Sequence, residues 1–139
     1  MEITYAKPLQ NLLTLYDHAQ NKRDAKAQFQ LAEMLLRLKN PSAQKTAVEL
    51  LRKSSKQGYA EAQNRLGHRY YYGRDIEADC EKAVYWYTKS AEQGCEAAIS
   101  HLASHYENEK NYREAVIWYG KYAKLRLDWF HARLRASHN

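Results

Sequence analysis

The sequence predicts an all-α protein, a solenoid built from antiparallel helix pairs, and three observations support this. The chain repeats itself every 32 to 36 residues, a period typical of stacked helical repeats. Within each unit, apolar residues recur at every third or fourth position, as they do along one face of a helix. Leu, Ile, Val and Phe supply only 24 of the 139 residues, which alone would favour disorder, but 19 Ala and 12 Tyr provide small helix contacts and large rings that fill gaps.

The repeat is clearest in the middle of the chain. Residues 58–70 match residues 94–106 at an offset of 36, with small and apolar residues in corresponding places. Residues 82–89 match residues 114–121 at an offset of 32, because the third unit is four residues shorter between its helices. A more degenerate first unit begins at residue 24 and follows the same frame. The chain therefore predicts three consecutive units.

Each unit predicts two helices, which the second unit shows best. Ala62, Leu66 and Tyr70 recur at a spacing of four on its first helix. Ala83 and Tyr87 follow with the same spacing on its second helix. These small and aromatic residues are expected to face each other across the pair.

Residues that favour helix boundaries mark the ends of these helices. Gly73 and Gly94 stand where a C-terminal glycine is expected, and Asp79 stands at an N-cap position. A glycine inside a helix, by contrast, costs about 1 kcal/mol relative to alanine. We therefore expect Gly67 to be required by close packing against Tyr87 of the paired helix.

Half-repeats are predicted at both ends of the stack. Leu12, Tyr16 and Ala19 align with core residues of the second unit's second helix, namely Ala83, Tyr87 and Ser90. Residues 127–139 align with a first helix that lacks its second. No glycine follows Ala123, so the last two helices can also run on as one. We predict about eight helices in a single domain, residues 1–139, divided into an N-terminal capping helix (8–23), three repeats (24–58, 59–94 and 95–126) and a C-terminal capping helix (127–139).

The second unit carries a specific set of residues, which are Ala60-Glu61-Ala62-Gln63, Leu66-Gly67, Tyr70, Gly73, Ile76, Asp79, Lys82-Ala83, Trp86-Tyr87, Lys89 and Ala91-Glu92-Gln93-Gly94. This set resembles a complete Sel-like repeat, the longer relative of the tetratricopeptide repeat, and the resemblance extends over residues 24–124. It implies a right-handed α-solenoid whose first helices line a concave face. It also implies an adaptor or scaffold that binds other proteins and is not an enzyme. Some bacterial members staple each repeat with paired cysteines, which this chain lacks at those positions.

Few residues are placed to carry catalysis or to bind a metal. The five glycines never reach the spacing of a phosphate-binding loop. His101 and His105 are four residues apart, like two metal ligands on one helix face, but no third ligand is placed with them, so we interpret them as ordinary polar-face histidines. Cys80 and Cys95 lie at opposite ends of a helix, roughly 20 Å apart, and are interpreted as free, inert thiols. We expect no catalytic residue, no cofactor and no metal.

The net charge of +6 is unevenly distributed along the chain. Residues 1–60 carry +5, residues 61–120 carry −3 and residues 121–139 carry +4. A basic tail suits an acidic partner, nucleic acid or an anionic surface, and its cations are Lys121, Lys124, Arg126, Arg133 and Arg135. A capping helix with a solvated outer side explains the same residues, with Phe130 and Leu134 sealing the last repeat. We favour the capping interpretation, which makes nucleic acid the less favoured partner.

The predicted binding surface is the concave face formed by the first helices. The small and apolar positions of each first helix face its paired helix, which leaves the remaining positions for this face. Several of these are aromatic, which is typical of binding hot spots. Packing against neighbouring first helices is the alternative, and for Tyr71 neither interpretation is favoured. The predicted surface residues are Phe29, Glu33, Leu36, Arg37, Glu61, Asn64, His68, Tyr71, Tyr72, Ser100, Ser104, Glu107 and Asn108.

The predicted function is that of a non-catalytic adaptor that holds a peptide or a partner protein in the concave groove. Aromatic residues would anchor the ligand, and polar residues would set its register. A narrower form of this prediction is a regulatory protein, or a dedicated bacterial protein that neutralises one toxin. No apolar run reaches the roughly 18 residues of a membrane span, and residues 1–10 lack the apolar stretch of a secretory signal, so we expect a cytoplasmic protein.

Overall fold

The computed structural model describes residues 7–137, apart from the side chain of Leu9, and within them all regular structure is α-helical. Consecutive helices pack against each other in chain order, as expected for stacked helix pairs. The predicted all-α solenoid of helix pairs is therefore confirmed. The helices of this region are α1 (Lys7–Gln20), α2 (Ala25–Arg37), α3 (Pro41–Lys56), α4 (Ala60–Tyr72), α5 (Cys80–Glu92), α6 (Glu96–Asn108) and α7 (Tyr112–Ala136).

Short polar side chains start four of these helices. Asp24, Asn40, Asp79 and Asn111 each accept a hydrogen bond from a backbone N–H in the first turn of α2, α3, α5 and α7, respectively. Such caps satisfy backbone donors that have no partner inside the helix. At the other end of α4, Gly73 takes a left-handed conformation with φ 61°. The helix boundaries predicted at Asp79 and Gly73 are thus confirmed.

Close packing between α4 and α5 explains the glycine inside α4. A β-carbon on Gly67 would lie 2.9 Å from Cδ1 of the Tyr87 ring and 3.1 Å from the carbonyl oxygen of Ala83. Both distances are shorter than the roughly 3.5 to 4.0 Å at which carbon atoms attract each other. Tyr87 is itself only 1% exposed, so its ring has little room to move. The predicted contact between Gly67 and Tyr87 is confirmed.

Two partly buried hydrogen bonds recur in the first and second units. A serine near the end of each second helix donates to a backbone carbonyl at the start of its first helix, at 2.6 and 2.7 Å. A glutamine that follows each second helix donates to a glutamine of the first helix, at 2.7 and 2.8 Å. Because buried polar groups are costly without partners, these bonds fix the register of each pair. The donors and acceptors are Ser54 and Ala25, Ser90 and Ala60, Gln57 and Gln28, and Gln93 and Gln63.

The predicted alignment of α1 is wrong by one residue. Tyr16, aligned with the buried Tyr87, is 54% exposed. Leu15 packs against the core in its place, while the predicted Leu12 also packs there and the predicted Ala19 is buried.

A repeated hydrogen bond gives the physical reason for this one-residue shift. Gln28 donates to the carbonyl oxygen of Ala19 at 3.1 Å, and Gln63 donates to that of Ser55 at the same distance. Ala19 therefore corresponds to Ser55 and, by the offset of 36, to Ala91. In this frame Leu15, not Tyr16, takes the place of Tyr87.

The last two predicted helices run on as one, the alternative that the absence of a glycine after Ala123 had left open, so residues 7–137 contain seven helices where about eight were predicted. Gly94 follows α5 with φ 85°, but its counterpart at an offset of 32 is Arg126, for which a left-handed backbone is unfavourable. The described part of the predicted capping helix 127–139 is therefore the continuation of α7. Although α7 has 25 residues, no helix within residues 7–137 is long and apolar enough to cross a membrane.

Candidate partner-binding surface

The first helices of the three units, α2, α4 and α6, lie side by side. Between α2 and α4, Arg65 donates to the Glu33 carboxylate over 2.8 Å. Between α4 and α6, Nδ1 of His101 lies 3.0 Å from the Asn64 carbonyl oxygen, so the ring donates its Nδ1 proton to that oxygen. Of the predicted surface residues, Glu33 and Asn64 thus lie between neighbouring first helices. We call the whole set of predicted residues, from Phe29 to Asn108, the first-helix face.

A small pocket of about 70 Å³ opens on this face between α4, α5 and α6. Since a water molecule occupies about 30 Å³ in the liquid, the pocket holds one small group and is far too small for a nucleotide-sized ligand. Four of its residues belong to the first-helix face and three do not. The former are Tyr71, Tyr72, Ser104 and Asn108, and the latter are Tyr87, His101 and His105.

Tyr72 is the most exposed aromatic residue of the first-helix face. Its side chain is 57% exposed, yet three neighbours hold its ring. The His68 ring lies 4.6 Å from it, the Tyr71 ring meets it edge-on at 5.0 Å, and the Arg74 guanidinium lies 5.6 Å from its centre. A ring that is already fixed loses little side-chain entropy on binding. Tyr72 therefore has the properties of a preorganised anchor.

Tyr71 has a mainly structural position. Its ring is partly buried, 6.3 Å from that of Tyr87 and edge-on to that of His105 at 5.9 Å. The ring of this α4 residue therefore packs against both α5 and α6. Since it also lines the pocket, one edge of the ring is available to a ligand.

The two histidines of α6 are not the polar-face residues that the sequence predicted. His105 is only 8% exposed, and the His101 ring packs against the Tyr87 ring at 4.8 Å. Rings from α4 and α5 flank His101, and the Tyr71 ring of α4 meets His105, because α6 packs between α5 and α7. Among residues 7–137, no group of three or more His, Cys, Asp or Glu residues is arranged to hold a metal ion.

Burial and neighbouring charges lower the pKa of two histidines here, His68 and His101. Burial lowers the pKa of His101, and the nearby Arg65 lowers it further. Burial also lowers the pKa of His68, followed by the effects of His101 and Arg74. Both effects disfavour the charged imidazolium. At neutral pH the centre of the face therefore presents neutral rings.

Cys80 lies beside His105, but its thiol is not activated as a nucleophile. Its Sγ atom is 3.9 Å from Nδ1 of His105. Burial, and then the charges of Glu109 and Asp79, raise the pKa of its thiol, which disfavours the nucleophilic thiolate. Cys80 and Cys95 are both free, as predicted.

The part of the first-helix face on α2 is less accessible than the sequence suggested. The Phe29 ring packs against Tyr59 at 5.4 Å, and both Phe29 and Leu36 lie partly buried against the core. Glu33 is occupied by its ion pair with Arg65. Arg37 alone among the four predicted residues of α2 is classed as exposed.

The remaining predicted residues are mostly polar. Glu61, Ser104, Glu107 and Asn108 are exposed, and Ser100 is partly buried. The Glu107 carboxylate accepts a hydrogen bond from the hydroxyl of a tyrosine on α7, at 2.7 Å.

Two polar residues beside this face, Arg65 and His101, were missed by the sequence analysis. They occupy corresponding positions of the second and third units at an offset of 36, and each donates to a neighbouring first helix. This shared role makes the position a candidate in any unit of the stack. The repeat alignment therefore shows that the two residues correspond, but only the structure shows which residues they contact.

The fold and the surface define a helical-repeat protein, and the comparisons identify its family. The Sel1 repeat pattern matches residues 25–59, 60–95 and 97–126. The chain therefore belongs to the Sel1 repeat family. Repeats of this family generally mediate protein–protein interactions, and its members are typically non-catalytic scaffolds.

Solved structures support the same fold. The protective antigen c5321 of uropathogenic Escherichia coli, which displays an SLR fold, is 34% identical, with a TM-score of 0.69 over 80% of this chain and 25% of the antigen. A Sel1 repeat protein from Oxalobacter formigenes is 22% identical, with a TM-score of 0.73 over 89% of this chain and 42% of that protein. The chain thus spans less than half the length of either protein. No curated protein shows significant sequence similarity to it.

Proposed function

We propose that the chain is a non-catalytic adaptor that binds a peptide or a partner protein on its first-helix face. The observation that carries this proposal is the exposed and immobilised Tyr72 ring at the edge of a pocket for one small group. Ser104 and Asn108 offer hydrogen bonds at the same pocket. A fixed aromatic ring beside polar groups is the usual composition of a binding hot spot.

The proposal assigns different roles to the residues of the face. Tyr72 anchors the ligand, with Tyr71 and Phe29 supporting the surface from partly buried positions. The polar side chains of Asn64 and Arg37 set the register of the bound ligand. A regulatory protein or a dedicated toxin-neutralising protein of the bacterial cytoplasm is the narrower form of the proposal, which the two free thiols support because disulfides are rare there.

Partner capture by the Tyr72→Ala variant tests the proposal. Native lysate is passed over the immobilised chain, and captured proteins are identified by mass spectrometry. Tyr85→Ala on α5 is a matched control, since Tyr85 is 54% exposed and Tyr72 is 57% exposed. We expect Tyr72→Ala to reduce capture by at least about tenfold, the effect of losing roughly 1.4 kcal/mol of binding energy. Equal capture by both folded variants would refute the assignment of the face.

A second candidate function is binding of nucleic acid or another anionic surface by the basic tail. Lys121, Lys124, Arg126, Arg133 and Arg135 are all exposed on α7, which favours this alternative. It requires an affinity for mixed-sequence DNA or RNA that falls steeply as salt increases. If the chain does not bind DNA or RNA even at low salt, this second candidate function is excluded.

A further inference from the structure

One side of α7 is apolar and exposed along most of its length. Its residues, which we call the α7 stripe, are Tyr112, Val116, Tyr119, Ala123, Leu127 and Phe130. The spacing of the first three residues repeats 11 residues later in the last three. Eleven residues make three turns at 3.67 residues per turn, so all six side chains lie nearly in line along a straight helix. The stripe covers 18 residue steps, about 27 Å. A contiguous apolar row of this length on a folded protein indicates an interaction surface.

In the second unit, a neighbouring helix covers the same positions. Tyr119 and Ala123 correspond, at an offset of 32, to Tyr87 and Ala91, which are only 1% and 7% exposed. α6 lies against them, with the His101 ring 4.8 Å from the Tyr87 ring. Since α7 runs on past Ala123 without turning back, no helix among residues 7–137 takes that place. The N-terminal half of the α7 stripe is thus a surface shaped to receive a helix.

We propose that the α7 stripe binds the α7 stripe of a second copy of this chain, in antiparallel orientation, to form a symmetric dimer. A two-fold axis near residue 121 places the two ends of the stripe against each other. Tyr112 then lies opposite Phe130, Val116 opposite Leu127, and Tyr119 opposite Ala123. Large side chains thus meet at both ends of the interface, and at its centre the Tyr119 ring packs on Ala123. The same patch serves both copies, as a two-fold interface requires.

Gly120 provides independent support for the position of this axis. It lies within α7, where glycine disfavours the helix, and a β-carbon there would meet no atom of the chain within 4 Å. Packing within the chain therefore gives no reason for glycine, in contrast to Gly67. Beside the two-fold axis, its missing side chain lets two helices approach closely.

The charges around the stripe favour the antiparallel orientation. Arg126 and Arg133 lie near the C-terminal end of the stripe. The Arg126 guanidinium is paired with Glu96 of α6 at 3.1 Å, and that of Arg133 lies 5.3 Å from the Trp129 ring on another side of the helix. Glu107, at the C-terminal end of α6, accepts a hydrogen bond from Tyr119 and so borders the N-terminal half of the stripe. Antiparallel pairing brings the acidic end of α6 in one copy toward the basic end of α7 in the other. Parallel pairing would bring the two basic ends together.

The exposed area of the stripe is sufficient for a weak dimer. Its large side chains are between 42% and 69% exposed. Aromatic side chains have roughly 150 to 250 Å² each, so two copies bury on the order of 1,000 Å². This value lies at the lower limit of specific interfaces, so the dimer is expected to dissociate on dilution.

The oligomeric state of the full chain tests the proposal. Light scattering after size-exclusion chromatography, at concentrations up to about 100 µM, should give twice the chain mass of 16.3 kDa, and the mass should fall toward one chain on dilution. Leu127→Glu should be monomeric throughout. Leu13→Glu on α1 is the matched control, since Leu13 and Leu127 are 50% and 53% exposed, and it should remain dimeric. A monomeric wild type at the highest concentration, or a dimer that survives Leu127→Glu, would overturn the proposal.

Cysteine cross-linking tests the orientation. With Cys80 and Cys95 replaced by serine, Gly120→Cys should cross-link two copies under mild oxidation. Val116→Cys should not, since antiparallel pairing separates the two copies of residue 116 by about 15 Å, beyond disulfide reach. Cross-linking of both variants would show parallel pairing and overturn the proposed arrangement. A chain that stays monomeric and binds phosphatidylserine vesicles through Leu127 would assign the stripe to lipid and equally overturn it.

Discussion

The second and third units follow the same two-helix plan, but their second helices end in different surroundings. Tyr87 of the second unit is 1% exposed, whereas its counterpart Tyr119 in the third is 42% exposed. The residue type is the same and so is its place in the repeat. The difference comes from α6, which covers one ring, and from the continuous course of α7, which leaves the other uncovered. Burial in this stack is therefore a property of position along the solenoid.

The buried polar contacts differ between these units as well. Ser90 and Gln93 tie α5 to α4, but their counterparts at an offset of 32 are Tyr122 and Leu125, which are partly buried and apolar. At these two positions the interior pair has hydrogen bonds and the third pair has apolar packing, while exposed bonds from Tyr119 and Arg126 to Glu107 and Glu96 also join α7 to α6. Substitutions at corresponding positions should have different consequences in the two units.

The largest difference is expected when the two tyrosines are truncated. Tyr87→Ala removes a fully buried ring between α4 and α6 and should lower the free energy of unfolding by about 3 to 5 kcal/mol. Tyr119→Ala removes a half-exposed ring and its hydrogen bond to Glu107, at a cost of about 1 kcal/mol. Urea denaturation of the dilute chain measures both values. Equal losses would contradict the dependence on position in the stack.

Opposite signs are expected for alanine at two helical glycines. Gly67→Ala should destabilise the fold by about 1 to 3 kcal/mol, because the new β-carbon collides with the Tyr87 ring and a backbone oxygen. Gly120→Ala enters open space and should stabilise α7 by about 1 kcal/mol in the monomer. Thermal denaturation checks both. A stabilising Gly67→Ala would show that α4 and α5 can separate freely.

A smaller loss is expected when an interior hydrogen bond is removed. Ser90→Ala leaves the carbonyl oxygen of Ala60 without its donor and should cost about 1 to 2 kcal/mol. Ser54→Ala should cost a similar amount, because its bond to Ala25 is equivalent. Ser42→Ala, at an exposed site on α3, is the control and should stay within about 0.5 kcal/mol of wild type in urea denaturation.

The smallest effect concerns pH. Burial lowers the pKa of His101 in the folded chain from its ordinary value of 6.5, so the unfolded chain takes up this proton first as pH falls. The free energy of unfolding should therefore decrease below about pH 6.5 and level off once pH passes the folded-state pKa. His101→Gln should reduce this slope. Denaturation midpoints between pH 5 and 8 test this, and an unchanged slope in His101→Gln would contradict it.

Periodicity and boundary residues predicted the interior of the fold. The contact between Gly67 and Tyr87 followed from the cost of a helical glycine, and the N-cap at Asp79 followed from its position before a periodic segment. Both depend on neighbours within one unit. Such local rules act in the same way in any stack of this kind.

The ends and the surface contacts were harder to predict. The alignment of α1 depends on the bond from Gln28 to the Ala19 carbonyl, which the apolar pattern does not reveal. The polar pattern of α6 predicted an exposed His105, yet this residue is buried and the Tyr71 ring of α4 meets it edge-on. These features arise between units, where sequence spacing gives no distance. Like the different burial of Tyr87 and Tyr119, they depend on which helices become neighbours in the folded stack.

The central claim is that partners bind on the first-helix face, and site-specific photo-cross-linking tests it most directly. A benzophenone amino acid replaces Tyr72 in one variant and Tyr85, which is similarly exposed on α5, in the other. Both variants are irradiated in cells, and covalent adducts are identified by mass spectrometry. We predict one dominant protein adduct from position 72 and none of that protein from position 85. Adducts from position 85 alone, or the same adduct in equal yield from both positions, would contradict the claim.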